Sequence, residues 1–320
     1  MLSSNGFSDI EVCIVENNRE SIDSSAQKYK GQENTVLVLE RVSLWRKYKD
    51  VFKEHGLKCQ LASLMHSFFD VMKPALWDAY ELLEDDDSKE IFTECLNVRY
   101  KIKSPEVMCR YFDSNQYFAI PEMNHIDPDG VFIDCGAFVG DTVELFIQRS
   151  QSIFKKIFAF EPLPRQFDAL QKRKKRLAEE WALDDDQIVC FRAGVGSHTM
   201  KAMARTGELN QHIISTRLVE ADENSLASGE ATDIYALDDV CGDENIRFIK
   251  ADVEGYEMDM LRGAERIIRE HKPCLAISLY HKLTDYYEIP LYIKSLVPEY
   301  KMKVRHHSTD FPETVLYCYC

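Results

Sequence analysis

The stretch from Val131 to Thr142 constrains more than any other how this chain can fold. A short apolar run ends at Asp134, Gly136 and Gly140 follow, and an apolar spacing typical of a helix begins directly after them. This order predicts a β-strand, a tight turn and the start of a helix. Because glycine has no Cβ, its backbone adopts conformations that other residues resist, and a ligand can approach it closely. The turn is therefore a candidate ligand-binding site.

The turn does not match the common phosphate-binding motifs. The dinucleotide fingerprint G-x-G-x-x-G is absent, and so is the G-K-[ST] ending of a P-loop. In an open parallel sheet, ligands bind at the carboxyl ends of the strands, and Asp134 lies at such an end. Its carboxylate favours a ligand that carries a cation or hydroxyl groups over a bare phosphate. A glycine-containing turn without any ligand is the alternative.

Composition indicates the compartment and excludes some partners. The chain has 320 residues and a net charge of -15, so nucleic acid, which needs clustered Lys and Arg, is not an expected partner. The ten cysteines are scattered without a C-x-x-C pair, which favours reduced thiols over a zinc site or disulfides. Neither a signal peptide nor a membrane-spanning apolar run is visible. We expect a soluble cytoplasmic protein.

The first part of the chain, residues 1–60, reads as a small α/β segment. Ile10–Val15 and Thr35–Leu39 are β-rich, and Trp45–His55 has the apolar spacing of a helix. The segment lacks a glycine-rich turn. We therefore expect a structural or partner-docking role rather than a second ligand site.

Residues 61–125 form a predicted helical connector. The acidic run Asp85–Ser88 separates two helical segments and suits the N-terminus of the second one. The aromatic side chains of this region are expected in a core or at a homodimer face. Tyr111–Met123 is expected to fold over the glycine turn.

From residue 126 to 320, strands and helices alternate. This pattern predicts an α/β domain whose mainly parallel sheet has helices on both faces. The terminal runs Lys301–His306 and Thr314–Tyr319 are predicted as antiparallel strands at one edge. Ala193–Ser197 reads as a turn, and residues 198–232 read as an irregular insertion, for which hairpins are the expected structure. The other predicted strands are Val131–Asp134, Ile157–Glu161, Ile188–Arg192, Ile246–Asp252 and Pro273–Tyr280, and a single amphipathic helix is expected to run through Ile268.

Three carboxylates fall at strand ends on one side of this predicted sheet: Asp134, Glu161 and Asp252. Glu161 ends the strand that follows the glycine turn. An acidic residue at that position accepts hydrogen bonds from the two hydroxyls of a ribose. The turn and Glu161 together predict a nucleoside-binding site.

Several ordered motifs now support a family resemblance. The chain resembles the FkbM family of S-adenosylmethionine-dependent methyltransferases over roughly residues 126–320. The motifs that carry the resemblance are the turn Asp134–Thr142, Phe160-Glu161-Pro162, Leu237-Asp238-Asp239, the run Ile249–Glu257 and Tyr280-His281-Lys282.

The resemblance implies a Rossmann-like methyltransferase fold, S-adenosylmethionine as cofactor and O-methylation, often of sugar hydroxyls in glycans or natural products. It places Asp134 and Gly136 at the amino-acid end of the cofactor and Glu161 at its ribose. Cys135 and Tyr256 depart from the family pattern, but neither removes a group that the chemistry needs. The remaining turn residues assigned to cofactor binding are Ala137, Gly140, Asp141 and Thr142.

A neutral sugar hydroxyl is a poor nucleophile, so methyl transfer to it calls for a base. His281 is the predicted base, and Asp252 is the alternative, either as base or as a residue that positions the acceptor. Glu254, Tyr280 and His306 are predicted to contact the acceptor. Lys250 is a possible ion-pair partner of Asp252.

A metal site is the less favoured interpretation of this region. Asp252 and Glu254 could together hold a divalent cation, but oxygen-ligand sites usually use more carboxylates than the sequence places here. The sequence therefore predicts no metal.

Two other functions compete with methyl transfer. One is a non-catalytic interaction protein that keeps a methyltransferase-like fold and uses the aromatic helices of residues 61–118 as its working surface. The other is an NAD-linked oxidoreductase, which the missing second glycine of the dinucleotide turn disfavours.

Overall fold

The chain forms two compact units, Met1–Val71 and Met72–Cys320. In the first, strands β1 (Val36–Leu39) and β2 (Lys58–Leu61) pair in parallel. The strand predicted at Thr35–Leu39 is therefore confirmed, whereas Ile10–Val15 and most of Trp45–His55 lie outside the described residues. The computed structural model describes residues 23–24, 26–28, 30, 36–39, 51, 53–56, 58–61, 74–124, 127–206, 216–220 and 231–320.

The second unit is built on a seven-stranded sheet with the order β12-β13-β11-β10-β3-β4-β5. β3, β4, β5, β10 and β11 run parallel, and β13 is antiparallel to both β11 and β12. The predicted mainly parallel sheet with antiparallel C-terminal edge strands is thus confirmed. Its strands are β3 (Asp127–Cys135), β4 (Phe154–Phe160), β5 (Ile188–Phe191), β10 (Ile246–Ala251), β11 (Cys274–Ser278), β12 (Lys301–His306) and β13 (Thr314–Tyr319).

Helices join these strands. The predicted amphipathic helix through Ile268 is divided in two at Gly263, and the sequence patterns missed the helix that contains Pro290. The α-helices with defined bounds are α1 (Asp86–Arg99), α2 (Asp141–Ser150), α3 (Pro164–Trp181), α4 (Leu237–Val240), α5 (Glu257–Arg262), α6 (Glu265–His271) and α7 (Asp285–Leu296), and a further helix occupies residues 74–81.

The core lies against the inner strand β3, which is next to the central strand β10. Residues 130–135 of this strand are all buried, as expected for a parallel strand with both faces covered. The Phe132 ring stacks on Phe146 of α2 at 4.5 Å and on Phe248 of β10 at 5.0 Å, measured between ring centroids. Phe118, from the segment before the sheet, packs edge-on against Phe248 at 5.5 Å. These aromatic contacts fix the strand whose end carries the glycine turn.

A second, four-stranded sheet has the order β6-β9-β7-β8. The prediction of a turn at Ala193–Ser197 is wrong, because residues 193–195 form β6, which pairs in parallel with β9. The expected hairpins of the insertion are found, since β7 is antiparallel to both β8 and β9. The bounds are β6 (Ala193–Val195), β7 (Met200–Thr206), β8 (Thr216–Glu220) and β9 (Ala231–Tyr235).

Helix α1 docks on the edge strand β12. The Asp85 side chain caps the helix by accepting a hydrogen bond from Ser88 N at 2.7 Å, and its other oxygen pairs with Arg305 Nη2 at 2.7 Å. Ser88 Oγ in turn accepts a hydrogen bond from Val304 N at 2.9 Å. The helix break predicted at Asp85–Ser88 is therefore confirmed, and its residues also connect the helix to the sheet.

Candidate functional site

The glycine turn packs directly against the end of β10. Gly136 has φ of +78°, and a Cβ on it would lie 1.9 Å from the backbone oxygen of Asp252. The amides of Gly136 and Ala137 both donate to the Phe160 carbonyl, at 3.0 and 2.9 Å. Glycine is therefore required here for the contact between the turn and the neighbouring strand, and this contact brings the turn and Asp252 together.

Asp134 lies beneath the turn rather than on its surface. It is completely buried, and its Oδ1 lies 3.0 Å from Lys250 Nζ. The same ammonium donates a hydrogen bond to the Gly136 carbonyl at 2.7 Å. Lys250 thus pairs with Asp134 and not with Asp252, the partner considered from the sequence. The ion pair fixes the strand end and the turn to each other.

The rest of the turn leads into α2. Ala137 and Thr142 are buried, whereas Asp141 is exposed at the first position of the helix. Gly140 precedes it with φ of +83°, and a Cβ there would lie 2.7 Å from a side-chain methyl of Leu170. Phe138 also has positive φ, +47°, and its side chain is exposed next to the predicted cofactor residues.

Glu161 follows β4 and is oriented by the turn. Its Oε2 accepts a hydrogen bond from Phe138 N at 3.0 Å, and its Oε1 accepts one from Leu163 N at 2.8 Å. Burial raises the pKa of Glu161 to about 6, although both backbone donors oppose that rise. Because a carboxylate oxygen has two acceptor positions, each oxygen retains capacity for a ligand hydroxyl.

Asp252 follows β10 and lies within a group of hydroxyl donors. Its Oδ2 accepts a hydrogen bond from Tyr117 at 2.7 Å, and its Oδ1 accepts one from Tyr280 at 3.0 Å. The Tyr117 ring also lies 5.0 Å from Lys250 Nζ, measured to the ring centroid. Tyr117 thus connects the segment before the sheet with two strand ends of the candidate site.

His281 is surrounded by carboxylates. Its Nδ1 lies 2.9 Å from Glu257 Oε1, and its Nε2 lies 3.5 Å from Asp252 Oδ1 and 3.7 Å from Glu254 Oε2. Burial alone would lower the pKa of His281, but Glu257, Asp252 and Glu254 outweigh it and raise this pKa to about 9. The imidazole is therefore a cation at neutral pH.

The structure brings Asp252, Glu254, Tyr280 and His281 together but differs from the sequence-based expectation at His306. That residue is completely buried in the edge sheet. Its Nδ1 lies 2.9 Å from Thr314 Oγ1, and its Nε2 lies 2.7 Å from the Asp310 carbonyl. With both ring nitrogens engaged, His306 supports the edge strands and is not placed to contact an acceptor.

Sequence reasoning gave no role to Glu257 and Tyr117. Glu257 has a local signal, since it is the first residue of α5, directly after the turn that follows β10, and its carboxylate accepts a hydrogen bond from Val253 N. Tyr117 has none, because its partner Asp252 is 135 residues away.

A doubly wound sheet with carboxylates at adjacent strand ends defines a Rossmann-like α/β protein. The family model described as the methyltransferase FkbM domain matches residues 134–304, more than half of the chain. The chain belongs to the FkbM methyltransferase family, which confirms the resemblance seen in the motifs.

A solved structure supports the fold. The FkbM methyltransferase from Methylobacillus flagellatus KT superposes with a TM-score of 0.67 at 24% identity, covering 93% of this chain and 77% of that one. An rRNA methylase from Streptococcus thermophilus has a TM-score of 0.35 at 13% identity, covering 68% and 97%, a similarity too low to add to the fold assignment. No curated protein sequence matches the chain. Within the part of the chain that the structure describes, no helix is both long and apolar enough to cross a bilayer.

Proposed function

We propose that this methyltransferase transfers the methyl group of S-adenosylmethionine to a hydroxyl of a sugar, a glycan or a glycosylated metabolite. The observation that carries the proposal is the contact of the Gly136 turn with Asp252, at which a Cβ would lie 1.9 Å from the Asp252 backbone oxygen. Through this contact, the nucleoside site at Glu161 lies next to the cluster of proton-accepting groups at Asp252. A methyl donor and its acceptor have to meet at such a junction.

The residues present fit S-adenosylmethionine. The Glu161 carboxylate is held by two backbone amides and keeps one acceptor position on each oxygen for the ribose hydroxyls. The exposed Phe138 offers an apolar surface beside it. Asp134 and Lys250 contribute indirectly, by fixing the turn, while Gly140, Asp141 and Thr142 complete its path into α2.

The acidic cluster provides the proton acceptor. S-adenosylmethionine supplies an electrophilic methyl group when bound. Because the pKa of His281 is about 9, its imidazole already carries a proton at neutral pH. We therefore assign the base to Asp252, which takes the proton of the acceptor hydroxyl as the oxygen attacks. Tyr280 and the His281 cation hold the Asp252 carboxylate in place, and Glu254, half-exposed, faces the acceptor side.

The same proposal includes a cytoplasmic location. Every cysteine whose side chain the structure describes is a free thiol. Free thiols are usual in reducing compartments, which supports the expectation from composition.

Radiolabelled methyl transfer tests the proposal. The full chain is incubated with methyl-labelled S-adenosylmethionine and fractionated cell extract, and Asp252→Asn and Asp259→Asn are assayed beside it. We expect label in a carbohydrate fraction, stable to mild alkali as a methyl ether is, with a large loss for Asp252→Asn only. Asp259 is a matched control because it is a half-exposed carboxylate of α5 that pairs with Arg262 at 3.1 Å. Label that is lost in alkali, or that appears only in protein without attached glycan, would contradict the hydroxyl acceptor.

A further inference from the structure

The His281 imidazole lies close to three carboxylates. The side chain is 11% exposed, and its Nδ1 lies against Glu257 Oε1 at 2.9 Å. Neither ring nitrogen forms a hydrogen bond of good geometry with a described residue, and on the Nε2 side the oxygens of Asp252 and Glu254 lie 3.5 and 3.7 Å away. These nitrogen–oxygen distances are too long for good hydrogen bonds, but they still bring the ring nitrogen and the two carboxylates close together.

The separations suit a shared cation. Two ligand atoms that each lie about 2.1 Å from one ion are at most about 4.2 Å apart. The distances from His281 Nε2 to Asp252 and to Glu254 both fall within that limit. The fold also brings together one possible ligand atom from each of Asp252, Glu257 and His281, and these three atoms lie within 4.8 Å of one another. The sequence alone placed only two carboxylates here, and the fold adds an imidazole and a third carboxylate.

Glu257 occupies the position of a supporting carboxylate. Metal-binding histidines usually pair their other ring nitrogen with a carboxylate or carbonyl, which fixes the ring. Glu257 is completely buried next to Nδ1, and its Oε1 is held by Val253 N at 2.9 Å. Its Oε2 is buried and has no hydrogen-bond partner in the described part of the chain. An unpartnered buried carboxylate oxygen is costly, so Glu257 adds to the need for positive charge near the imidazole.

The local charge also favours a cation. Asp252, Glu254 and Glu257 place three carboxylates around one imidazole. Lys282 donates its ammonium hydrogen bond to the Gly255 carbonyl rather than to any of them, and Lys250, whose charge also acts on Asp252, is paired with Asp134. A bound divalent cation would balance this excess of negative charge.

We propose that a divalent cation displaces the Nε2 proton of His281 and binds this nitrogen and the Asp252 carboxylate, with Glu254 as a further ligand and Glu257 as the positioning residue for the imidazole. Mixed nitrogen and oxygen ligands suit ions such as Mn²⁺ or Zn²⁺. The role of the cation, which is to hold the acceptor hydroxyl beside Asp252, rests on the proposed function. Its binding does not.

Mn²⁺ binding to the full chain tests the proposal. Protein freed of metal with a chelator is titrated with Mn²⁺ while the electron paramagnetic resonance signal of the free aqueous ion is recorded. We expect the wild type to remove one equivalent of this signal. Glu257→Gln keeps the size of the side chain and is expected to weaken binding by about tenfold or more, as loss of a supporting carboxylate does. His281→Ala and Asp252→Asn should abolish it.

Asp259→Asn is again the matched control and should bind Mn²⁺ like the wild type, since Asp259 pairs with Arg262 away from the cluster. Wild-type protein that leaves the free signal unchanged would overturn the proposal, and so would His281→Ala binding as tightly as the wild type. S-adenosylhomocysteine titration of the same preparations separates the two proposals. Cofactor binding without Mn²⁺ binding refutes only the cation site, whereas Mn²⁺ binding without cofactor binding refutes only the proposed function.

Discussion

Glu161 and His281 are both buried, yet their pKa values rise for different reasons. Burial raises the pKa of Glu161 to about 6, against the effect of two amide donors. At His281, burial acts in the opposite direction, and only the surrounding carboxylates bring this pKa to about 9. Near neutral pH Glu161 is therefore an anion that lies close to its titration range, and His281 is a cation. These two charge states determine which side chain accepts hydrogen bonds from a ribose and which can act as a base.

The affinity for S-adenosylhomocysteine should fall as the pH falls through about 6, because protonated Glu161 offers fewer acceptor positions to the ribose hydroxyls. About one unit below that pKa, roughly nine-tenths of the free protein carries the proton, so we expect about tenfold weaker binding at pH 5 than at pH 7.5. Calorimetric titration across this range measures the change. Glu161→Gln should bind weakly at every pH. If this variant keeps the pH profile of the wild type, Glu161 is not the origin of the pH dependence.

Sequence reasoning succeeds at single residues where the position along a strand is sufficient. Glu161 and Asp252 were identified because parallel strands bring their carboxyl ends to one edge. The same reasoning assigned Asp134 a ligand contact, but it could not foresee that Lys250 reaches Asp134 from the neighbouring strand at 3.0 Å. Tyr117 escaped because its hydrogen bond to Asp252 spans 135 residues. What the sequence misses at this scale are side-chain contacts between distant segments.

At the scale of elements, apolar runs located the parallel strands because the inner ones are buried on both faces, whereas the edge strand β5 is only partly buried. β6 was mistaken for a turn, since its partner β9 is far along the chain and glycine is a weak strand former. Helix α7 was missed in part because Pro290 interrupts a pattern that tertiary packing nevertheless makes helical. The break at Gly263 has a packing cause, as a Cβ there would lie 2.0 Å from the Gly196 carbonyl oxygen.

Asp85→Ala should lower the free energy of unfolding by about 1–2 kcal/mol, through loss of the cap to Ser88 N and of the pair with Arg305. Burial opposes ionisation of Asp85, but hydrogen bonds from Arg305 and Ser88 lower its pKa to about 2. A carboxyl group whose pKa is lowered on folding stabilises the protein at pH values above its usual pKa of 3.8. This contribution is lost as the pH falls through the pKa of the folded state.

Urea unfolding of both proteins measures the difference, which should persist down to about pH 4 and shrink below it. Asp87→Ala is the matched control, because Asp87 is an exposed carboxylate in the same first turn, makes neither the cap nor the Arg305 pair, and typically contributes about 0.3–1 kcal/mol through the helix dipole. Equal losses for the two variants would show that the cap and the Arg305 pair do not stabilise this junction.

At the scale of the whole molecule, the sequence placed a domain boundary at residue 126, with a connector before it. That boundary stays a prediction, but the compact unit begins at Met72. Residues before 126 provide the Asp85–Arg305 pair at one edge of the sheet and the Tyr117–Asp252 hydrogen bond at the site. We therefore regard residues 72–125 as part of the catalytic unit.

A fragment of residues 72–320 should unfold cooperatively on heating, whereas a fragment of residues 126–320 should be insoluble or lack a cooperative transition. The shorter fragment loses α1 and exposes the edge strand β12, and an unprotected edge promotes aggregation. Thermal unfolding followed by circular dichroism compares the two. A stable, cooperatively folded 126–320 fragment would support the boundary drawn from the sequence.

Calorimetric titration of the folded full chain with S-adenosylhomocysteine tests the central claim most directly. The account predicts saturable binding at one site, weakened by Glu161→Ala, which removes the ribose acceptor, and retained by His281→Ala, which alters only the acceptor side. Folded protein that gives no binding heat and no thermal stabilisation at saturating ligand would contradict it.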